Sequence, residues 1–410
     1  MDENADGGVP VNKSPDLELV HVEIFIRHGA RTTMNLIPNV ESATWDKDKL
    51  FVGADEARIE YEVKSLEDGP APFWTSEARY RTRTLQGGSY PGQLTAKGMM
   101  QLYELGERLR KEYVDEKKFL PSEFDPSVIY IRSTNIARTQ ESARSCLAGM
   151  YKDLLNKPKG LFVIHSEDEK KEILYPSNRH CEHLGAHTKW LSKHLDIIPG
   201  LSEERKLLQK LLDLEKEEDV NFIHIRDDLF ARMSNDLPVP EQLQSKADDV
   251  EKWALEVTRA QVMGASEEDK EEVLQVSVGP LMKMISDNLR SVADGKMGAK
   301  FHVYACHDSS IIALLSAFDV FDSQWPPFAA DLRFEVYKDS EGNHFLKIIY
   351  VGKELTPPNL SSPMPLDALL AQISHLAVSA EKYSGLCDVP LKWLQDAGND
   401  SGEQSAGIGV

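Results

Sequence analysis

The sequence predicts an α/β protein: a core of parallel strands carrying a mostly helical insertion. Three observations support this. Short apolar runs rich in β-branched residues recur along the chain, and each stops abruptly at Arg or His. A helical segment follows each stop, the alternation expected of parallel strands joined through helices. Between about residues 176 and 298 the composition changes, and Leu, Lys and Glu segments such as RKLLQKLLDLEKEEDV dominate.

Taken in order, residues 1–16 are Gly, Pro, Asn and Asp rich and read as a loose tail. The first strand is LELVHVEIFI at residues 17–26, stopping at Arg27-His28-Gly29. Thr95 is placed to cap a helix through MMQLYELGERLRKEYV, with Met99, Leu102, Leu105, Gly106 and Leu109 on its inner face. VIYI at residues 128–131 stops at Arg132-Ser133-Thr134-Asn135, and the helical IARTQESARSCLAGMYKDLL follows. LFVIH at 161–165 is a further strand. Residues 176–298 form a helical cap over the sheet edge, with Pro199, Pro238, Pro240 and Pro280 as breaks. FHVYAC at 301–306 stops at His307-Asp308-Ser309-Ser310, before IIALLSAF. LRFEVY and FLKIIYVG (332–337 and 345–352) suggest an antiparallel pair, and residues 391–410 a second tail. The core is therefore expected from residues 17–175 and 299–390.

Composition bounds the function. With 47 basic and 67 acidic residues among 410, the formal charge of -20 repels a phosphodiester polyanion and excludes nucleic acid as a general partner. No apolar stretch approaches the roughly 18 residues that span a bilayer. MDENADGG at the start is neither a secretory leader nor a transit peptide, so a cytoplasmic chain is expected. The four cysteines are too sparse for a disulfide framework. Cys146, Cys181, Cys306 and Cys387 are expected as reduced thiols, with one bridge possible and its pairing not deducible. The sequons at Asn12, Asn359 and Asn399 carry little weight without a secretory route.

In open α/β sheets, ligands bind beyond the carboxyl ends of the strands, and here three strand ends present Arg, His and Asp. Arg27-His28-Gly29-Ala30-Arg31 sets a histidine between two guanidinium groups, with a glycine where the chain turns. The guanidinium fork suits phosphate oxygens, and a neutral imidazole is a phosphorus nucleophile. Neighbouring cations lower the imidazole pKa and offset the repulsion of the phosphate oxygens. Arg132 adds a third candidate phosphate ligand. His307 adds a donor, and Asp308 a carboxyl group able to protonate a leaving alkoxide if held protonated in the complex. Taken singly, each group also fits an ordinary strand-end turn or helix cap.

These residues resemble a known family. IRHGAR (26–31), IRSTNIAR (131–138) and the His307-Asp308 pair are similar to the motifs of the histidine acid phosphatases, the branch of the histidine phosphatase superfamily with a His-Asp proton donor. GQLTAKGMMQLYELGERLRKEYV (92–114), STNIARTQESARSCLAGM, WPPFAADL (325–332) and SAEKYSGLC (379–387) resemble its lysophosphatidic acid phosphatase subfamily. The resemblance implies a Rossmann-like, phosphoglycerate-mutase-type core with a helical cap, and neither metal nor other cofactor. It makes His28 the phosphorylated nucleophile, Asp308 the general acid, and Arg27, Arg31, Arg132 and His307 the phosphate pocket. It implies a phosphomonoester substrate, a lysophospholipid by subfamily, and a mitochondrial location as an alternative to the cytoplasm; a monomer is expected. The family usually has Pro where this chain has Thr33, which would stiffen the loop. Phe73, Trp74, Trp325, Phe328 and Phe334 suit either an acyl channel or the core, with core the prior reading.

Other chemistries lack their parts. A thiol phosphatase needs Arg six residues after its Cys, where this chain has Lys152, His187, Ile312 and Trp393. There is no H-E-x-x-H and no G-x-x-x-x-G-K-[ST]. Asp46 and Asp48 lie in a polar stretch, unlike an aspartyl-phosphate site. His180, His183 and His187 beside Cys181 have metal-ligand spacing, although Pro176, Ser177 and Asn178 leave their helix uncertain. Three other functions stay open: broad hydrolysis of small phosphomonoesters or phosphotyrosine, the mutase-like branch with a Glu acid, and an inactive phosphate-binding relative.

Overall fold

The first apolar run carries Val20, Val22, Ile24 and Ile26 on one face and Leu19 and Phe25 beside His21 and Glu23 on the other, a pattern too apolar for an exposed edge and suited to the middle of a sheet. In the computed structural model, which describes residues 17–73, 75–156 and 162–388, this run is β1 (Glu18–Arg27). The other strands are β2 (Glu62–Ser65), β3 (Ile129–Ser133), β4 (Val163–Ser166), β5 (Phe301–Cys306), β6 (Asp331–Lys338), β7 (His344–Tyr350), β8 (Lys353–Leu355) and β9 (Met364–Pro365). They form one sheet in the order β2-β4-β3-β5-β1-β6-β7-β8, with β9 beside β7. From β2 to β1 the pairings are parallel; from β1 onward they are antiparallel. The three expected strands with Arg or His at their ends are thus adjacent and parallel.

In the long connections after β1, α1 (Lys47–Leu50) and α2 (Thr75–Arg81) precede α3 (Ala96–Arg110), and α4 (Ala137–Met150) follows β3. Thr95 caps α3 by accepting the Gly98 amide at 3.2 Å, and the predicted inner face of α3 is buried. Helices α3 and α4 meet backbone to backbone. A Cβ on Gly106 would strike the Cys146 carbonyl, and one on Gly149 that of Tyr103.

Between β4 and β5 the described elements are helical: α5 (Glu182–Lys193), α6 (Leu201–Leu211), α7 (Phe222–Ser234), α8 (Glu241–Gln244), α9 (Ala247–Met263) and α10 (Lys270–Ala293). Leu191, Leu208, Phe222, Leu229 and Val250 share a core of their own. In contrast, α10 buries Leu274, Val278, Leu281 and Ile285 against Phe25, Tyr304 and Phe334 of the sheet. Pro280, expected as a break, lies inside α10. The apolar face that α10 lays on the sheet outweighs the missing amide donor. The remaining helices are α11 (Asp308–Ala317), α12 (Leu366–Ile373) and α13 (Ala380–Cys387).

The expectation of reduced thiols is corrected for two cysteines. Cys181, ahead of α5, is disulfide-bonded to Cys387 at the end of α13, 206 residues on. No sequence spacing marks so distant a pair. Cys146 and Cys306 are free and buried. No helix among the described residues is long and apolar enough to cross a membrane. Both expected tails and Trp74 fall outside the described residues.

Candidate active site

Because β5 pairs in parallel with both β1 and β3, their carboxyl ends converge. After β1 the chain is held down on α3 and α4. The Gly29 amide donates to Ser142 Oγ at 3.2 Å and the Ala30 amide to Gln101 Oε1 at 2.8 Å. Thr95 Oγ1 donates to the Ala30 carbonyl at 3.1 Å. Gly29 was expected at a turn, but its φ is not in the left-handed region. Crowding requires it instead: a Cβ on Gly29 would collide with the Gly98 carbonyl, and one on Gly98 with that of Ala30.

This anchoring fixes His28. Its Nδ1 lies 2.9 Å from the Gly29 carbonyl, an acceptor only, so Nδ1 carries the proton and Nε2 keeps a free lone pair. Burial, then the charges of Arg138, Arg31, Arg27 and His307, hold its pKa well below the usual imidazole range. His28 is therefore a neutral imidazole. His307 stands 5.6 Å away, ring to ring, with its Nε2 3.1 Å from Thr134 Oγ1; burial and Arg138 hold it neutral too.

Asp308 is the first residue of α11, where the helix dipole favours an anion. Its Oδ2 accepts from Arg27 Nη2 at 2.8 Å and Trp325 Nε1 at 3.1 Å. Burial alone would raise its pKa, but Arg27, Arg226, Arg31 and His307 outweigh it and hold the carboxyl well below the usual range.

His28, Arg31, Arg138, His307 and Asp308 together line a cavity of about 250 Å³, flanked by Tyr80 and Tyr175. A second cavity of about 250 Å³ shares Arg31, Met34 and Asp308 with it and adds Ile223, Arg226 and Trp325. A larger cavity of about 670 Å³, between residues 39–50 and Pro238–Pro240, holds none of the site residues.

Two of the six predicted residues stand apart from this cavity. Arg27 lies behind Asp308, 4.2 Å from the centroid of the Phe328 ring, and also donates to the Pro326 carbonyl. Arg132 must be corrected more fully. Its guanidinium is buried against Glu172 Oε1 at 2.9 Å and Met284 Sδ at 3.5 Å. β3 runs on through Ser133, and Arg132, in register with Tyr304, projects from the sheet rather than its end. The guanidinium that faces the cavity is Arg138, in the first turn of α4; its Nε and Nη1 have no hydrogen-bond partner among the described residues.

Asp227 on α7 carried no sequence signal. It binds Arg31 Nη2 at 2.7 Å and accepts the Met34 and Asn35 amides at 2.7 and 3.1 Å. The Thr33 hydroxyl reaches Asp227 Oδ2 at 3.1 Å and also donates to the Asn35 carbonyl. Hydrogen bonds thus restrain the loop that lacks the family's proline.

The other candidates separate clearly. Phe334 is core, Phe73 is exposed, and Trp325 and Phe328 adjoin the site. His183 and His187 bind the Leu386 and Ala260 carbonyls at 3.1 and 2.8 Å, His180 lies 3.8 Å from Glu169, and Cys181 is in the disulfide, so they share no ligand site. Asp46 caps α1. Burial pushes the Cys306 thiol up to about 12, unlike a nucleophilic thiolate.

Comparison with known proteins agrees with this geometry. The profile of the histidine phosphatase superfamily (branch 2) matches residues 18–351. Lysophosphatidic acid phosphatase type 6 of Homo sapiens is 35% identical over 391 residues, covering 94% of this chain and 89% of that protein. Prostatic acid phosphatase of Rattus norvegicus is 26% identical, covering 77% and 82%. In fold, the chain is similar to the apo phytase of Hafnia alvei, with a TM-score of 0.56 and 12% identity over 92% of this chain and 100% of that one. The sequence, the sheet and the histidine at its carboxyl edge together establish that the chain belongs to branch 2 of the histidine phosphatase superfamily, as a histidine acid phosphatase.

Proposed function

We propose that the chain hydrolyses lysophosphatidic acid to monoacylglycerol and phosphate, in two steps through a phosphohistidine at His28. The observation behind the chemistry is the neutral imidazole, with Nε2 free, in a cavity walled by Arg31, Arg138 and His307. Nε2 attacks phosphorus in line; the P–O ester bond breaks as Asp308 donates its proton to the leaving oxygen. Water then attacks the phosphorus of the phosphohistidine while Asp308 takes its proton; the P–N bond breaks, the electron pair returns to His28 Nε2, and phosphate departs.

Asp308 is ionised in the free protein and must be protonated in the complex. A bound phosphate supplies that change. Its negative charge offsets Arg27, Arg31 and Arg226, the cations that hold the carboxyl low, so the proton affinity of Asp308 rises as substrate enters. On a leaving alkoxide, Asp308→Asn should cost 10²–10⁴-fold or so in kcat, and much less on p-nitrophenyl phosphate, whose leaving group needs no proton.

Support for the lipid comes from the relative's name and from the second cavity, where Met34, Ile223 and Trp325 offer apolar surface beside the phosphate site. Tyr80 and Tyr175 beside the first cavity favour a second reading, aryl phosphates such as phosphotyrosine. Measuring kcat/KM over lysophosphatidic acids of increasing acyl length separates the two. Each methylene that becomes buried should raise kcat/KM by up to about fourfold; a flat series below phosphotyrosine rejects the lipid. His28→Ala should abolish turnover, and a wild type that binds phosphate without turnover would reject the enzyme reading.

A further inference from the structure

At the end of β1 and β5 remote from His28, three ionisable side chains meet inside the protein. His21 and Glu23 are alternate residues of β1 and share a face, and Glu23 is in register with His302 of β5. His21 Nε2 lies 3.5 Å from Glu23 Oε1, and His302 Nδ1 lies 3.9 Å from the same oxygen. Exposures are 1%, 0% and 6%. No other group of His, Cys, Asp and Glu among the described residues brings three donor atoms this close, within 4.8 Å of one another. Among the described residues, both nitrogens of His21 and both oxygens of Glu23 lack a hydrogen-bond partner. Other buried acids have cations, as Glu172 has Arg132 and Asp228 has Arg232.

We propose that His21, Glu23 and His302 form a structural site for one divalent transition-metal ion, zinc by its donor set. Two imidazoles and a carboxylate suit zinc, whereas calcium and magnesium take oxygen ligands. A tetrahedral ion with bonds of 2.0–2.1 Å sets its donors roughly 3.4 Å apart, against 3.5 Å from His21 to Glu23 and 3.9 Å from His302 to Glu23, so small side-chain rotations would draw the three donors together. Tyr304 Oη is hydrogen-bonded to His302 Nδ1 at 3.0 Å and accepts from Asn288 Nδ2 at 3.0 Å; binding of an ion at His302 Nδ1 would replace the first of these bonds, with Tyr304 Oη close enough to serve as a fourth oxygen. A bulge in the β1–β6 ladder between Leu19 and His21 adjusts the strand beside the site. Five residues of strand, roughly 16 Å, separate Glu23 from His28 and His302 from His307. The ion would therefore take no part in phosphoryl transfer and would instead tie together the two strands that carry the catalytic groups.

The test uses the purified full-length chain, stripped with a chelator and dialysed. Zinc titration followed by metal analysis should give about one equivalent and a raised Tm, and cobalt should give the visible bands of tetrahedral coordination. Glu23→Gln and His302→Gln, which keep side-chain volume, should each weaken zinc binding at least about tenfold. His28→Ala should retain it, and stripped protein should still hydrolyse p-nitrophenyl phosphate. No binding by wild-type protein, binding that survives both substitutions, or loss of hydrolysis on stripping would overturn the proposal. Should both variants fail to fold, the cobalt spectrum of the wild type decides, and absent tetrahedral bands reject the site.

Discussion

A guanidinium group serves a phosphate through N–H groups that face it. By that criterion the two arginines of IRSTNIAR differ: Arg132 is engaged by Glu172, whereas Arg138 lines the cavity. Arg138→Ala should lower kcat/KM by about 10²–10³-fold with stability little changed. Arg132→Met together with Glu172→Leu should keep activity within about tenfold, whereas Arg132→Met alone should cost roughly 3–5 kcal/mol in urea unfolding by leaving a buried carboxylate unpaired. His28, Asp308 and Arg31, proposed above as nucleophile, acid and phosphate ligand, were legible because each lies where a strand stops. Arg132 misled because a one-dimensional pattern does not show on which residue the strand ends. The depressed pKa values also bear on stability. His28 and His307 stay neutral in the fold while the unfolded chain takes up protons below about pH 6.5, so their burial costs stability as pH falls, up to about 1.4 kcal/mol per pH unit each. Asp308 acts in the same direction: its ionised form adds stability above about pH 4, lost as pH drops towards its folded pKa. The urea midpoint without phosphate should fall from pH 6.5 to 4.5, and less steeply in His28→Gln/His307→Gln.

The loop after β1 is shaped by the first turn of α3. Gly29 and Gly98 let two backbones touch, and Thr95, Gln101 and Ser142 hydrogen-bond what lies between. A methyl at position 98 has no flexible neighbour to displace, so Gly98→Ala should shift His28 and reduce kcat at least about 100-fold while far-UV circular dichroism remains native. A wild-type kcat in that variant would show the contact to be slack. The helix itself was legible, since Thr95 and the Met99-to-Leu109 stripe state its start and inner face. Its contact with the loop was not, because a glycine records no partner in sequence. Pro280 shows the same limit from the other side: a local break signal yields to the sheet that α10 covers.

Across the whole molecule, a chain of net charge -20 gathers Arg27, Arg31, Arg138 and Arg226 around one carboxylate and two neutral imidazoles. The Cys181–Cys387 bridge joins the start of α5 to the end of α13. Cys181→Ala/Cys387→Ala should lower unfolding stability by about 2–4 kcal/mol with kcat retained, and wild-type protein unfolded in reductant should match it. The alternation of strand and helix and the meeting of the strand ends were readable at this scale; the Cys181–Cys387 and Asp227–Arg31 contacts were not, because neither leaves a periodic trace. Asp227 has the wider consequence. It belongs to the inserted helices yet grips Arg31 and the backbone at Met34 and Asn35. A chimera that borrows its lid from a distant relative would inherit new walls for the substrate, but it would turn over only if the donor supplied an acid at that one place. Recombination between lineages is thereby confined to lids that already carry the latch.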